Sequence, residues 1–442
     1  MPPDDSTTGA IEGSAPPSGG SDRRSPPWRF QVAIAGVGIL VGSYDLGAIS
    51  VAFAPLKTQW HLSTAVVTTL GTATLVGMLL GSLVTGVLAD RFGRRRLIVA
   101  DVVLFVVSAA GAALAPDFGV LAAARLATGV AVGMDFAVVF PFVAEIAPVP
   151  RRGRAMAWIM WVANFGTLAA YAFGAVLLHA DPVSGWRASL AIGAILALPV
   201  IFLRGQLRES ADWAASRLPT WRAIARSTSR RSLRGRLATS STATFLYQMG
   251  DQGLGLVLPL LLVTVLSTSA ASGAASAAAV KAVTIPAALL TVVLIERIGR
   301  RPLQAVGFAG RAVAFGLLGA LLIAFAHLPS PLVGSLLAAG YFFGAAGPDK
   351  TTVIVPSEVF PTGVRSTGQG VSQATGRLGG IVGITLYGVL AGIGGPGAGL
   401  LLFAVAALAG AFVSIIPVTG HPGDTAQPGE TGVGTFPKGA AD

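Results

Sequence analysis

The sequence predicts an all-α integral membrane protein with about twelve transmembrane helices in two pseudo-symmetric six-helix halves. Three observations predict this fold. The 442-residue chain is 53% hydrophobic and only 12% charged, its apolar residues form long stretches, and two polar motifs occur twice in the same order. The first two observations place the chain in a bilayer, and the third divides it into related halves.

Composition excludes most classes of soluble protein. A mean hydropathy of +0.72 leaves too little polar surface for a water-soluble chain of this length. The formal net charge is +11, but the arginines form short clusters between apolar stretches. This placement is typical of membrane-protein loops and not of a nucleic-acid-binding surface. The chain contains no cysteine, which excludes disulfides and thiolate metal sites.

The number of apolar stretches sets the domain organisation, because about 20 apolar residues cross a bilayer. Twelve stretches are predicted, at residues 30–54, 64–89, 97–115, 118–143, 155–179, 186–203, 238–265, 273–295, 303–326, 331–356, 366–392 and 396–417. A polar segment separates the sixth from the seventh. The predicted divisions are a disordered tail (1–27), a six-helix half (28–204), a central loop (205–237), a second six-helix half (238–418) and a disordered tail (419–442).

Arginine placement predicts the orientation in the membrane. Arginine clusters follow the second, fourth and eighth stretches, and nine arginines between Arg204 and Arg236 are assigned to the central polar segment. Loops on the other side contain few basic residues. Because Lys and Arg accumulate on the cytoplasmic side, we expect both termini and the central loop in the cytoplasm. The expected location is the cell (inner or cytoplasmic) membrane.

An internal repeat supports the division into halves. Residues 90–95, Asp-Arg-Phe-Gly-Arg-Arg, recur at 296–301 as Glu-Arg-Ile-Gly-Arg-Arg. Residues 145–152 contain Glu-x-x-Pro-x-x-x-Arg, and the same pattern recurs at 358–365. Parallel repeats of this kind place a substrate site between the halves, near the middle of the membrane.

These motifs resemble those of the major facilitator superfamily. Residues 86–96 are similar to its loop 2–3 signature, although Val292 replaces the first glycine in the second copy, and residues 125–133 resemble its helix-four motif. The resemblance covers essentially the whole chain and implies a transporter. It also implies that charged residues at the cytoplasmic helix ends act in gating. The assigned gating residues are Asp90, Arg94, Glu145, Arg152, Glu296, Arg300, Glu358 and Arg365.

Acidic residues inside the predicted helices need an explanation, because a charge at the centre of a span costs roughly 2.5–3.5 kcal/mol. Asp45, Asp135, Asp251 and Asp349 lie in the first, fourth, seventh and tenth stretches. The family resemblance makes these helices walls of a central cavity. Desolvated carboxylates can carry protons near neutral pH, and the four histidines fall near loops or in a tail. We therefore predict proton coupling by Asp135, Asp45 and Asp349.

The predicted substrate-binding residues are Arg377, Gln248, Gln252, Asn164 and Asp251. Arg377 lies near mid-depth, where a guanidinium can bind a carboxylate or phosphate in bidentate fashion. Whether Arg377 instead forms a structural ion pair with Asp349 is left open. No direct pair between Asp349 and Lys350 is expected, because adjacent helical residues point about 100° apart.

Several branches of the family share local patterns with this chain. Residues 347–352 and 356–370 resemble the phosphate:proton symporter branch, but Asp349, Arg377 and Phe136 replace its Asn, Lys and Tyr. Residues 45–47 with Pro55 and Trp60 resemble organic-acid symporters, and residues 145–153 and 208–210 resemble sugar porters.

We predict a secondary active transporter that couples protons to symport of a small polar, anionic solute, phosphate or carboxylate. The alternatives are a sugar symporter, a drug or metabolite:proton antiporter, and a non-transporting sensor. The usual helix-five Gly-Pro of antiporters is missing, since residues 155–180 contain no proline. No nucleotide loop, metal cluster or nucleophile arrangement is found, so we expect no enzyme activity, cofactor or metal. The expected partners are the solute, protons and the bilayer, with no nucleic acid, and the expected state is a monomer.

Overall fold

The computed structural model describes residues 26–215, 231–266, 268–325 and 327–416. Most of the predicted tails (1–25 and 417–442) and residues 216–230 of the predicted central loop lie outside the described residues. The described chain is helical apart from short connections.

The first half contains six long helices, each with the length and composition to cross a membrane. They are α1 (Trp28–Gln59), α2 (Thr64–Phe92), α3 (Arg94–Ala113), α4 (Phe118–Ile146), α5 (Arg152–Ala180) and α6 (Gly185–Gly205), followed by the short α7 (Ala211–Ala215). α1 packs on α5, α2 on α4, and α3 on α6. This half therefore has the six spans predicted from hydropathy.

The second half has broken helices. Its helices are α8 (Arg231–Gly255), α9 (Leu258–Leu266), α10 (Ala270–Ala282), α11 (Thr284–Ile298), α12 (Arg300–Ala324), α13 (Ser330–Ala346), α14 (Pro348–Val359) and α15 (Arg365–Ile415). α8 and α9 are bent by 54°, whereas α10 with α11, and α13 with α14, each form one span. α14 begins at Pro348, which has no N–H to donate to the preceding turn.

The last helix supplies two spans. α15 has 51 residues, and Gly394 and Gly395 depart from helical geometry within it. At 1.5 Å per residue such a helix is about 76 Å long, against a hydrocarbon core of about 30 Å. With the bent α8–α9 pair counted as one span and α15 as two, the described helices have the length and composition for twelve crossings, and the predicted fold class is confirmed.

Apolar side chains on the outside of the bundle identify its lipid-facing surface. Val107, Val176, Ile195, Val313 and Val405 are among the most exposed residues of their helices. Because apolar side chains are well solvated by hydrocarbon and poorly by water, this surface belongs in the bilayer.

The repeated motif has the same backbone turn in both copies. Gly93 separates α2 from α3 with φ 100°, and Gly299 separates α11 from α12 with φ 91°. Only glycine adopts this conformation without a steric cost. The two corners lie at the same end of the bundle as residues 148–152 and 360–365, and we name this end the arginine-rich end.

Helix starts at the opposite end are capped by side chains. The Asp117 carboxylate accepts a hydrogen bond from the backbone N–H of Val120 at 2.9 Å, at the start of α4. The Asp117 cap satisfies an N–H group that a helix leaves without a partner. In the turn that precedes α6, the Asp181 carboxylate accepts backbone hydrogen bonds from Ser184 and Val183, and these bonds lower the pKa of the Asp181 carboxyl.

Candidate functional site: a central cavity and the contacts that close it

A cavity lies between the two halves and is walled by α1, α4 and α5 on one side and by α8, α10, α11, α13, α14 and α15 on the other. The space that the centre of a water molecule can occupy within this cavity is about 100 Å³. At about 10–15 Å³ per water, it has room for roughly seven to ten water-sized groups. All five residues predicted to bind substrate line it: Arg377, Gln248, Gln252, Asn164 and Asp251.

Arg377 has an unusual environment. Its side chain is 1% exposed, and none of its three guanidinium nitrogens has a hydrogen-bond partner in the described chain. The guanidinium lies over the ring of Phe136, 4.9 Å from the ring centroid. A cation–π contact compensates only part of the cost of burying a charge. The three N–H-bearing nitrogens therefore remain free to bind an anion in the cavity.

A second group of charges surrounds Asp251. Its Oδ1 atom lies 3.9 Å from Lys281 Nζ and 3.6 Å from Arg311 Nη1. Aromatic rings flank both cations, because Lys281 Nζ is 3.8 Å from the ring centroid of Tyr341 and Arg311 Cζ is 5.1 Å from that of Tyr247. One carboxylate thus faces two cations in a partly aromatic pocket.

Asp349 lines the cavity and pairs with its neighbour Lys350. The expectation that these adjacent residues do not pair was wrong, because the four-carbon lysine side chain can bend back to the preceding residue. The alternative that Arg377 pairs with Asp349 is not found, since Arg377 has no ion-pair partner in the described chain. Asp349 is therefore neutralised without Arg377.

The amide side chains of the cavity keep unused hydrogen-bonding capacity. Gln248 is 5% exposed, and its Oε1 atom accepts no hydrogen bond from any residue that the structure describes. The Asn164 Nδ2 atom donates to the Met160 carbonyl at 2.8 Å, which leaves its oxygen available. Nearby, the Tyr171 hydroxyl donates across the halves to the Gly255 carbonyl at 3.0 Å.

Two of the three predicted proton-coupling residues lie outside the cavity lining. Asp45 is fully buried, and its carboxylate accepts hydrogen bonds from both terminal nitrogens of Arg125. Arg125 Nη1 lies 3.0 Å from the Asp45 Oδ1 atom. The Asp135 carboxylate receives two hydrogen bonds from Arg204 Nη2, at 2.7 and 2.9 Å. Asp135 lies within the first half, in a separate small pocket between α1, α3, α4 and α6.

Contacts at the arginine-rich end connect the halves through Asp90. The Asp90 carboxylate accepts hydrogen bonds from the Ser366 N–H at 3.1 Å, and from the Thr367 N–H and hydroxyl at 2.7 Å each. These donors form the first turn of α15. An acid at a helix N-terminus satisfies free N–H groups and interacts favourably with the helix dipole.

Arg94 and its neighbours extend this contact. Arg94 Nη2 lies 3.0 Å from Asp90 and 2.9 Å from Glu145, and it donates to the Thr362 carbonyl at 2.8 Å. Arg365 Nη1 is 3.3 Å from the same Glu145 oxygen. Two acids and two arginines from both halves therefore form one buried cluster.

The second copy of the motif makes the reciprocal contact, in which an acid of the second half bonds to a helix of the first. Arg300 pairs with Glu296 at 2.9 Å and with Glu358 at 2.7 Å. The Glu296 carboxylate accepts a hydrogen bond from the backbone N–H of Arg154 at 3.0 Å, in the first turn of α5. Each half thus caps a helix of the other, and we name this reciprocal pair of contacts the latch.

The remaining predicted gating residue, Arg152, has a structural contact. Its Nε atom donates to the Ala147 carbonyl at 3.3 Å, just as Arg365 Nε donates to the Phe360 carbonyl at 3.2 Å. Each arginine therefore holds the loop that precedes its own helix, in addition to the Arg365 contact across the halves.

Comparison with known proteins identifies the family. The family model described as Major Facilitator Superfamily matches residues 35–237, and the model described as Sugar (and other) transporter matches residues 221–419. The chain belongs to the major facilitator superfamily. It is therefore a multi-pass membrane transporter and not an enzyme.

Relatives of this superfamily member include transporters of several solutes. A cis,cis-muconate transport protein of Acinetobacter baylyi is 26% identical over 86% of this chain and 92% of its own. An arabinose-proton symporter of Bacillus subtilis is 25% identical (76% and 80%), as is a repressible high-affinity phosphate permease of Neurospora crassa (80% and 76%). The xylose transporter XylE from E. coli, in a partially occluded inward open conformation, has the same fold: its TM-score is 0.72 at 20% identity, covering 87% of this chain and 96% of that one.

Sequence reasoning missed three residues of this major facilitator superfamily transporter. Arg204 was assigned to the central polar segment, but it lies in the last turn of α6 and is 1% exposed. Asp101, an acid inside an apolar span, bonds to it at 2.6 Å. Glu209 accepts backbone hydrogen bonds from Arg94 and Arg95 and so caps α3. The cost of an intramembrane charge was a signal that could have identified Asp101.

Proposed function

We propose that this transporter couples protons to symport of a small anionic solute, a phosphate or a carboxylate, by alternating access. Arg377 carries the proposal. A guanidinium that is 1% exposed and has no hydrogen-bond partner among the described residues is costly, and a bound anion would supply the missing charge and acceptors. A planar guanidinium matches the geometry of carboxylate and phosphate oxygens.

The charges around the cavity support an anion. Four cations, Lys281, Arg311, Lys350 and Arg377, accompany the carboxylates of Asp251 and Asp349 among the described residues. Lys350 and Asp349 neutralise each other, whereas Lys281 and Arg311 share Asp251. Two positive charges remain, one of them on Arg377. Because low-dielectric surroundings strengthen Coulomb interactions, this surplus favours anionic over neutral solutes.

Proton coupling is assigned to the buried acids Asp135, Asp45 and Asp349. Each has a basic partner: Arg204, Arg125 and Lys350, respectively. Movement of a proton onto one of these carboxylates would release its partner and change the contacts between helices. We propose Asp135 as the leading carrier, because it borders a pocket with room for water. We also propose, from the arginine clusters, that the arginine-rich end and both termini face the cytoplasm and that the protein is a monomer in the cell membrane.

The solutes carried by the relatives are consistent with this proposal. The relatives include a carboxylate transporter, a phosphate permease and a proton-coupled symporter. The arabinose symporter also keeps open a sugar as substrate, and the free amide groups of Gln248 and Asn164 could bind sugar hydroxyls. Antiport of a drug or metabolite has less support in the sequence.

Uptake into proteoliposomes tests the proposal. A pH gradient with the outside acidic should increase accumulation of phosphate or of small mono- and dicarboxylates, and a protonophore should abolish the increase. Uptake that responds to the gradient only for sugars would replace the anion assignment. Gradient-driven accumulation in the opposite direction would indicate antiport.

Binding measurements on purified protein test the role of Arg377. Arg377→Gln should weaken anion binding by roughly 1.5–3 kcal/mol, as expected for loss of a charge-assisted hydrogen bond. Asn164→Ala on the opposite wall is a matched control that removes a neutral group and should cost about 0.5–1.5 kcal/mol. Tight binding of a neutral sugar that is undiminished in Arg377→Gln would contradict the anion assignment.

A further inference from the structure

Asp101, Asp135 and Arg204 form a buried group inside the first half, away from the central cavity. Arg204 Nη1 donates to Asp101 Oδ1 at 2.6 Å, and Arg204 Nη2 donates to both oxygens of Asp135 at 2.7 and 2.9 Å. The side chains of Arg204, Asp101 and Asp135 are 1%, 2% and 10% exposed. The three residues come from α6, α3 and α4, and we name them the carboxyl triad.

The triad has one more acid than base. A single guanidinium binds both carboxyl groups, Asp101 through Nη1 and Asp135 through Nη2, yet Asp101 Oδ2 has no donor in the described chain. Two ionised carboxylates cannot hydrogen-bond, because both are acceptors only. Like charges this close and this deeply buried cannot both remain ionised. A proton between the two carboxyl groups would supply the missing donor.

Among the described residues, the lining of the triad offers no other countercharge. The small pocket at the triad is lined by residues of α1, α3, α4 and α6, which apart from the triad itself are apolar: Gly38, Val41, Gly42, Val102, Phe105, Ala131, Val132 and Val200. Gly38 leaves the space that the Arg204 guanidinium occupies, because a Cβ there would collide with it. The pocket volume is about 20 Å³, enough for one or two waters that could deliver a proton.

We propose that Asp101 and Asp135 hold one proton between them against Arg204, and that this carboxyl triad is the proton site that drives transport. The presence of the shared proton is inferred from the geometry of the triad alone. Its role in coupling rests on the proton symport proposed above. With the proton, the triad is neutral, and without it, the triad has a charge of −1. The proton therefore binds and leaves in the first half, apart from the solute.

The triad shares its helices with the latch. Asp101 lies two turns after Arg94 on α3, and Asp135 lies on the same helix as Glu145. Arg204 is followed by Glu209, whose carboxylate caps the start of α3. A change in triad charge thus acts on three elements that position one side of the latch.

Infrared spectroscopy of the purified full-length protein tests the occupancy. A protonated carboxyl group has a carbonyl band that a carboxylate lacks, and this band shifts in D2O. The wild type should show the band near neutral pH. Asp101→Asn and Asp135→Asn should each lose it, because the asparagine amide donates to the remaining carboxylate and no proton is needed. Asp181→Asn, in an exposed loop, is the matched acid-to-amide control and should keep the band.

Transport by the same variants tests the coupling. A gradient of one pH unit is worth 1.36 kcal/mol, up to about tenfold accumulation per proton. In Asp101→Asn this accumulation should fall to the level seen without a gradient, while exchange of solute across the membrane continues. Asp135→Asn should lose pH-driven accumulation in the same way, so the test can still be made if one of the two variants folds poorly.

The outcomes separate the two proposals. A band of wild-type size in both variants, or wild-type accumulation in Asp101→Asn, would overturn the triad as the proton site. If both variants lose the band but uptake by the wild type does not depend on the pH gradient, the shared proton is supported and the proposal of symport is wrong. If wild-type uptake is driven by pH and Asp101→Asn is equally driven, symport stands and the triad fails.

Discussion

Replacing Asp90 with asparagine should open the arginine-rich end of this transporter. The Asp90 carboxylate accepts three hydrogen bonds from the other half, two from Thr367 and one from Ser366. A hydrogen bond to a charged group contributes about 1.5–3 kcal/mol and a neutral one about 0.5–1.5. Asparagine removes the charge and turns an N–H donor toward other donors. The closed state should therefore lose about 3 kcal/mol, which shifts the equilibrium by roughly a hundredfold.

Glu296→Gln is the matched control, because it makes the same chemical change at the equivalent position of the repeat. Within the described residues, Glu296 accepts one bond from the other half, from the Arg154 N–H, and its side chain is 20% exposed. Solvent screens exposed charges. The closed state should lose about 1 kcal/mol, roughly a fivefold shift, so the two variants should differ by more than tenfold.

Spin-label distances would measure this opening directly. The chain has no cysteine to remove. Gly205 and Gly363 lie in opposite halves at the arginine-rich end, and a Cβ atom added at either meets no atom of another described residue within 4 Å. Labels on Gly205→Cys and Gly363→Cys should give longer distances in Asp90→Asn than in the unmodified background, and only slightly longer ones in Glu296→Gln. Equal distances in all three backgrounds would refute the energetic role of the latch.

Other substitutions test individual contacts. Asp45→Asn should destabilise the fold by about 3–5 kcal/mol, because it leaves Arg125 buried and unpaired, and adding Arg125→Gln should recover much of that loss in thermal unfolding; no recovery would argue against the ion pair. Gly93→Ala and Gly299→Ala should each cost about 1–2 kcal/mol for a positive φ. Gly93→Ala should cost more than Gly299→Ala, because the added Cβ would collide with the Glu209 carboxylate, whereas the Cβ at position 299 meets Pro302 at 4.0 Å. Equal melting temperatures of the two variants would contradict this packing.

The number of spans and the twofold repeat could be predicted because they depend on local information. The length of an apolar stretch indicates a membrane crossing without any knowledge of the helices that pack around it. The glycines at 93 and 299 occur in copies of one motif that fold into the same corner. The residues of the cavity could also be predicted. Arg377, Gln248 and Asn164 are polar groups inside apolar helices, and a cavity is where such groups are tolerated.

The partners of these residues could not be predicted, because pairing depends on how helices are rotated. Position along a helix gives the depth of Asp135 but not the direction of its side chain, and it points into the first half rather than into the cavity. Arg204 ends an apolar stretch, where a charge can equally turn to water or inward. Its inward direction follows from two acids on α3 and α4 that lie far from it in sequence.

The latch also has a consequence for how the protein is made. Asp90 is synthesised 276 and 277 residues before the backbone donors that cap it in α15. At about 5–20 residues per second, this interval is roughly 14–55 seconds. Glu296, in contrast, meets a partner that was made 142 residues earlier. During insertion the Asp90 carboxylate therefore lacks these two backbone donors until the start of α15 has been synthesised.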